Sequence, residues 1–157
     1  MSRTITASGI TLLEILVALA IIAVLATIIF SVFHNFSDSA SINSAAEAGI
    51  TALSDARSRT LSSKNASQYG VHFASSSLVI FKGAVYSALG QDNEEKLLPA
   101  GTEISVINLA GGGVNVAFKR LTGETDSYGT TTFRLINKPT ATRDVVILSS
   151  GAVKINN

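Results

Sequence analysis

An apolar run from Ile10 to Phe33, whose only charged residue is Glu14, constrains this sequence more than any other feature. As a helix, the run is long enough to cross the ~30 Å hydrocarbon core of a bilayer. A carboxylate in that core costs about 2.5–3.5 kcal/mol unless a cation compensates it. Arg3 is the only basic residue before Arg57, so the run contains no cation of its own. The compensating charge must come from another molecule, or from an amine released by cleavage of the chain.

The residues at the start of the run provide a cleavage site. Gly9 and Ile10 are followed by Thr11-Leu12-Leu13-Glu14. This order resembles the precursor signature of type IV pilins and type II secretion pseudopilins, a polar leader ending in Gly, then a hydrophobic residue, then Glu. The resemblance implies that prepilin peptidase cleaves between Gly9 and Ile10 on the cytoplasmic side and that the new Ile10 amine is N-methylated. It also implies that Glu14 aligns an incoming subunit by pairing with a neighbour's N-terminal amine.

Two features distinguish this segment from an ordinary signal peptide. A third feature, its first mature residue, departs from the family pattern. An ordinary signal peptide or a plain membrane anchor is the alternative, but the run exceeds the ~7–15-residue core of a signal peptide. An acidic residue at position 14 is also the wrong charge for the start of a signal peptide. The family usually has Phe as the first mature residue, whereas this chain has Ile10.

Charge and composition limit the topology and the possible chemistry. Arg3 on the short N-terminal side favours a cytoplasmic N-terminus, which places the C-terminal domain outside the inner membrane after a single span. The chain has 12 basic and 11 acidic residues, so net charge favours no particular partner. It has no cysteine, which excludes disulfides, thiol catalysis and a cysteine-based metal site. No cofactor, metal site or enzymatic activity is expected, because no catalytic motif is present.

The helical period continues beyond the membrane run. Apolar residues recur every three to four positions as far as Leu61, and polar residues fill the other side. The turn-forming segment 62–67 then ends the helix. We therefore expect a leader at 1–9, a membrane-spanning half-helix at 10–33, an amphipathic half-helix at 34–62 and a globular domain at 63–157.

The globular domain is predicted to be rich in β-strands. Short β-branched and aromatic runs alternate with Gly, Ser and Asn. We expect strands at 69–73, 78–82, 103–109, 114–119, 130–136, 144–148 and 152–155. Sequential hairpins favour an antiparallel sheet, so the predicted fold class is α+β, with the long helix packed on the sheet in the ladle shape of pilins.

The strand region shows a narrower resemblance. The segments 69–73 (YGVHF), 116–123 (VAFKRLTG) and 145–155 (VVILSSGAVKI) resemble the GspH/FimT group of minor pseudopilins and minor pilins. That group has a strand, a Gly-containing turn, another strand and a closing strand-Gly-strand hairpin. The resemblance implies a minor subunit of a type II secretion pseudopilus or of a type IV pilus.

Three further motifs indicate structure more than chemistry. Segment 111–113 (GGG) precedes a strand, whereas phosphate-binding loops precede a helix, so we expect a hairpin or bulge. His34 and His72 lack neighbours at metal-ligand spacing. The acidic cluster 92–95 (DNEE) lacks the spacing of a calcium loop and is interpreted as a solvated turn.

Some minor pilins of the FimT type bind DNA, so the basic residues of the domain are candidate phosphate contacts. The candidates are Lys119, Arg120, Arg134, Lys138 and Lys154. Binding requires such charges on one face. Lys119 and Arg120 are adjacent in a predicted strand and should point in opposite directions, and acidic residues are interspersed. A solvated surface is therefore the favoured interpretation, and nucleic acid is not an expected partner.

The sequence as a whole predicts a minor pilin or pseudopilin, a structural subunit assembled through its N-terminal helix. Its expected partners are other pilins or pseudopilins in a helical filament, prepilin peptidase and the inner-membrane assembly platform. The alternatives are a major pilin and a DNA-binding minor pilin of a competence pilus.

Overall fold

The computed structural model describes residues 11–156, apart from the side chains of residues 30–35 and Lys64. Gly9 and Ile10, at the predicted cleavage site, lie outside the described residues. One helix, α1, runs through Leu12–Leu61. By its internal contacts the chain divides into two units, Met1–Ser37 and Asp38–Asn157.

As far as residue 156, the second unit contains the part of α1 from Asp38 onward, a 3-10 turn (Lys64–Ala66) and eight strands in two antiparallel sheets. The strands are β1 (Tyr69–Phe73), β2 (Ser77–Lys82), β3 (Glu94–Leu97), β4 (Thr102–Leu109), β5 (Asn115–Ala117), β6 (Gly129–Leu135), β7 (Thr142–Ile147) and β8 (Val153–Asn156). The first sheet has the order β3-β2-β1-β5 and the second has the order β4-β6-β7-β8. The predicted α+β class is confirmed.

Small side chains let α1 approach the sheets closely. The buried face of the helix repeats at intervals of three and four residues and consists of Ile42, Ala45, Ala46, Gly49, Ala52, Leu53, Ala56 and Thr60. At its centre a methyl group added to Gly49 would lie 2.7 Å from Cζ of Phe133, a fully buried ring of the second sheet. The helix therefore packs with almost no spacer between its backbone and that ring.

Residues along the strands of the second sheet alternate between a buried face and a more exposed face. In β6, Thr131, Phe133 and Leu135 are buried while the residues between them are partly exposed. Val145 and Ile147 of β7 share the buried side, as the strand register requires. These residues join α1 and the inner face of the first sheet in one hydrophobic core.

The outer face of the first sheet has a smaller apolar cluster of its own. Phe81 of β2 is buried there and lies so close to Gly70 of β1 that a methyl group on Gly70 would sit 2.5 Å from the ring. Tyr86, in the connection after β2, contacts Phe81 edge-on and stacks on His72 at 3.9 Å between ring centroids. This connection therefore covers part of the outer face and explains why β2 is buried on both sides.

Arg57 joins three segments near the end of α1. Its Nε donates to the carbonyl oxygen of Gly123 at 3.0 Å, and its Nη2 donates to that of Ser150 at 3.2 Å. Gly151, in the β7–β8 turn, has φ +77° and packs against the same Gly123 carbonyl. The helix end, the β5–β6 connection and the β7–β8 turn are thus held together at one point.

Several expectations need correction. The domain has two sheets instead of one, because β4 and β6–β8 pair among themselves. β3 was missed: the cluster 92–95 is not simply a solvated turn, since its last two residues begin this strand. Segment 111–113 is not a hairpin, because it connects strands of different sheets. Lys119 and Arg120 do not lie in a strand, because β5 ends at Ala117.

Replacing Leu53 by Asp tests the helix–sheet core. Leu53 is fully buried, so an unpaired carboxylate there should lower the free energy of unfolding by about 3–5 kcal/mol. Chemical denaturation of a fragment of residues 37–157 measures the change. Ser54→Asp, at the neighbouring exposed position, is the control and should change stability little. Equal stability of the two variants would show that this face of α1 does not pack on the sheets.

Replacing Gly151 by Ala tests the three-segment junction. The new methyl group would lie 1.8 Å from the Gly123 carbonyl oxygen, so the turn has to move. The control is Gly112→Ala, also at positive φ (+64°) but with no heavy atom within 4 Å of the new methyl group. Both variants incur about 1–2 kcal/mol of backbone strain, and overpacking should add about 1–3 kcal/mol for Gly151→Ala only. Thermal unfolding that gives equal losses would contradict the close approach.

Candidate assembly site

Glu14 lies in the first turn of α1, where the sequence analysis placed the assembly residue. The side-chain oxygen of Thr11 accepts a hydrogen bond from the Glu14 backbone N–H at 3.2 Å. Thr11 therefore caps the helix, a role that the sequence analysis missed although Thr-x-x-Glu is the order of a capping box. Glu14 itself is exposed, and it makes no ion pair within residues 11–156.

The helix end compensates Glu14 only in part. A carboxylate in the first turn gains about 0.3–1 kcal/mol from the partial positive charge of the helix N-terminus. Placing the same carboxylate in hydrocarbon costs about 2.5–3.5 kcal/mol. In hydrocarbon the helix N-terminus would leave most of that cost in place, and Glu14 would require a cation from outside the described residues.

The helix around Glu14 has the length and composition of a membrane span. The stretch Leu12–Ile29 has a mean hydropathy of 2.9, and none of it is buried by the described residues. Its one internal hydroxyl, Thr27 Oγ1, donates to the backbone oxygen of Val24 at 2.7 Å, so that polar group is satisfied inside the helix. These features fit membrane anchoring.

One face of this helix has a shallow apolar depression. The lining residues are Val17, Ala20, Ile21, Val24 and Leu25, spaced at three, four and seven positions. The small side chain of Ala20 opens the depression between bulkier neighbours. Glu14 precedes Val17 by three residues and therefore lies on the same face, one turn nearer the N-terminus. The charge and the apolar surface can thus meet the same neighbouring helix.

The candidate DNA contacts of the second sheet are interleaved with acids. Arg134 and Lys154 lie on its outward face, which the strand register also assigns to Glu103 and Asp144. Arg134 Nε donates to Glu103 Oε1 at 2.6 Å, which neutralises the Arg134 charge locally. This face therefore carries no continuous basic surface.

The remaining candidates lie elsewhere. Lys119, in the connection after β5, pairs with Asp126 at 2.6 Å, and the hydrogen bond that its Nζ donates to Asp126 Oδ1 raises the pKa of Lys119 above its ordinary value. Arg120 follows in the same connection. Lys138 lies in the β6–β7 turn, at the end of the sheet opposite Lys154. The five basic residues are thus distributed over separate parts of the domain.

A charged cluster that the sequence did not indicate links α1 to β3. Arg59 binds Asp55 at 2.8 Å and Glu94 of β3, and its guanidinium lies 5.9 Å from the Tyr69 ring centroid. Lys96 of β3 approaches Asp55 at 3.8 Å. The hydrogen bond with Glu94 contributes most to raising the pKa of Arg59 above its ordinary value, and the hydrogen bond with Asp55 contributes next. The cluster is structural, because its acids and bases are matched and hold β3 against the helix.

The other candidate residues are accounted for as follows. His72 is partly buried in β1, and its Nδ1 lies 2.7 Å from Oδ1 of Asn115. The side chain of His34 lies outside the described set. Asp92, in the acidic cluster, contacts Lys82 at 3.3 Å. No group of three or more metal-binding side chains occurs among the described residues.

Comparison with known proteins bears on the N-terminal segment. The family model of the prokaryotic N-terminal methylation motif matches residues 6–30, which contain Gly9, Ile10 and Glu14. No curated protein and no solved structure matches the chain. The match supports a type IV pilin-like precursor that prepilin peptidase processes and that assembles with other pilins. Because the matched residues do not reach the β-rich domain, the GspH/FimT subgroup remains a prediction.

The scattered charges predict weak binding to DNA. Few phosphates can be contacted at once, so the affinity should already be weak at low salt, should fall only shallowly as salt rises, and should be too weak to detect near 150 mM, where the screening length is ~8 Å. Titration of the 37–157 fragment with random-sequence duplex DNA at several salt concentrations measures this. Arg134→Ala combined with Lys138→Ala should leave the salt slope almost unchanged. A steep slope that falls by about one unit per removed charge would instead support DNA capture.

Proposed function

We propose that this chain is a minor pilin or pseudopilin, a structural subunit of a type II secretion pseudopilus or type IV pilus. The observation that carries the proposal is the coincidence of the methylation motif with Glu14, an exposed carboxylate that lies at the start of an apolar helix and makes no ion pair within residues 11–156. A minor subunit is favoured by the resemblance of the strand region to the GspH/FimT group. The absence of cysteine also distinguishes the chain from the many major pilins that contain a disulfide bond.

Cleavage and assembly follow from the charge of Glu14. Cleavage after Gly9 removes the leader and produces an amine at Ile10, which stays cationic when methylated. In a filament the amine of one subunit compensates Glu14 of its neighbour. A neighbour in the wrong register leaves Glu14 uncompensated at a cost of about 2.5–3.5 kcal/mol, or roughly a hundredfold in equilibrium population. Glu14 thereby selects the register, and the depression along Val17, Ala20 and Ile21 supplies apolar contact.

The proposed location is the inner membrane, crossed once, with residues 38–157 outside the cytoplasm. The assembly platform in that membrane would receive the processed subunit and add it to a periplasmic pseudopilus or a surface pilus. Such a role requires packing and no catalytic turnover.

Mass spectrometry of the protein from native membranes tests the cleavage. We expect a mature chain that begins at Ile10 and carries one methyl group on its amine. Cells without prepilin peptidase provide the control and should retain the leader. A mature chain that begins near residues 37–41, or an uncut Met1, would contradict the proposal.

Replacing Glu14 by Ala tests its role in assembly. Membrane insertion should be unchanged or improved, because the variant removes the cost of burying a carboxylate. Incorporation into sheared filaments should fall strongly, because the variant also removes the pairing with the neighbour's amine. Thr27→Ala is the matched control, since Thr27 satisfies its hydroxyl within its own helix. Equal incorporation of both variants would show that Glu14 does not set the register.

A further inference from the structure

The two sheets of the second unit end in four edge strands, β3 and β5 in the first sheet and β4 and β8 in the second. β5 has only three residues and no charge, and the one charged residue of β4, Glu103, pairs with Arg134. β3 ends the first sheet and pairs only with β2, whereas β8 ends the second sheet and pairs only with β7. Within residues 11–156, neither strand forms backbone hydrogen bonds to any further strand. The unpaired N–H and C=O groups of an open edge can pair with a strand of another molecule.

The β3 and β8 edges carry opposite charges that the domain itself does not use. Glu95 of β3 and Lys154 of β8 are both exposed, and neither makes a hydrogen bond or ion pair with another described residue. The other charged residues of β3 behave differently, because Glu94 and Lys96 bind the side chains of α1. Glu95 and Lys154 therefore remain available for contacts between molecules.

These charges favour pairing between β3 and β8 over pairing between two identical edges. Pairing two β3 edges in register would bring Glu95 close to its own copy, and pairing two β8 edges would do the same for Lys154. Like charges opposite each other destabilise a strand pair, while opposite charges stabilise it. Short, charged edges normally prevent sheets from joining. Here the same charges block like-with-like pairing and permit β3 to pair with β8.

An antiparallel register with Glu95 opposite Lys154 also matches the faces of the two sheets. Glu95 points to the outer side of its sheet, as does its β2 partner Val79. Lys154 points to the outer side of its own sheet, because its neighbours Val153 and Ile155 pack towards the core. Val153 and Ile155 are only half-buried at the open edge, and a strand added beside β8 would cover them further.

We propose that β3 of one copy pairs with β8 of the next copy where two copies are adjacent in the filament. This contact rests on the proposed function, since it requires assembly through the N-terminal helix. It is heterologous, because two different surfaces meet, so it can repeat along an open filament instead of closing into a dimer. Four residues per strand make the contact too small to hold two free domains together, and it acts once the helices have brought the copies side by side.

Disulfide trapping in the full-length chain tests the contact directly. The chain has no native cysteine, so Glu95→Cys and Lys154→Cys can be combined without background reactions. Opposite residues of an antiparallel pair have Cα atoms about 4.5–5.5 Å apart, within the range of a disulfide. Mild oxidation of sheared filaments, from cells that express the chain strongly enough for copies to meet, should give a ladder of dimers and larger species. Each single variant should remain monomeric.

The matched control combines Glu95→Cys with Lys138→Cys. Lys138 is also an exposed lysine but lies in the β6–β7 turn, at the opposite end of the second sheet from Lys154. This pair should give no ladder. A ladder of equal strength in the control, or none in the Glu95→Cys and Lys154→Cys filaments, would overturn the proposed contact.

Charge reversal provides a second readout. Glu95→Lys or Lys154→Glu alone should lower the amount of subunit in filaments by about two- to fivefold, because like charges then face each other. The two reversals combined in one chain should restore it. If the unaltered chain enters filaments and Glu14→Ala does not, but reversal has no effect, the edge contact is wrong and the proposed function stands. If the unaltered chain does not enter filaments, both are wrong.

Discussion

The fold of the second unit depends on the close approach of α1 to two sheets. That approach is possible because the buried face of the helix is made mostly of Ala and Gly, with Gly49 in contact with the Phe133 ring. A larger side chain at Gly49 would push the helix away from a ring that is itself fully enclosed. The same continuous helix presents large apolar side chains over Leu12–Ile29, where no described residue buries them. One element therefore serves two environments, and its residue sizes change accordingly.

What the sequence predicted well was determined by local chemistry. The motif around Gly9, Ile10 and Glu14 is a linear pattern, so it could be recognised without structure, and the family match at residues 6–30 covers it. The end of α1 at Leu61 followed from the turn-forming residues after it. Strands β1, β6 and β7 were found because β-branched and aromatic residues cluster in them between segments of Gly, Ser and Asn.

What the sequence did not predict depends on contacts between distant residues. β3 has no apolar alternation, and it forms where Arg59 and Asp55 of α1 bind Glu94 and Lys96. The division into two sheets depends on which strands pair, and single-strand patterns do not contain that information. Arg57 lies within the predicted helix, but the sequence does not show that its guanidinium donates to two carbonyl oxygens more than 60 positions away in the chain. Such roles become visible only when the partner residues are in place.

The two proposed contacts between subunits differ in strength and therefore in role. The amine–Glu14 pair acts in hydrocarbon, where an uncompensated charge costs about 2.5–3.5 kcal/mol, so it can decide the register. The Glu95–Lys154 pair acts in water, where one cross-strand pair contributes about 0.2–1 kcal/mol. The weaker pair can still matter, because a contact between molecules already joined at another site forms at high effective concentration. The helix pairing would thus fix the position of a neighbour, and the open edges would favour that position over others without being able to create it alone.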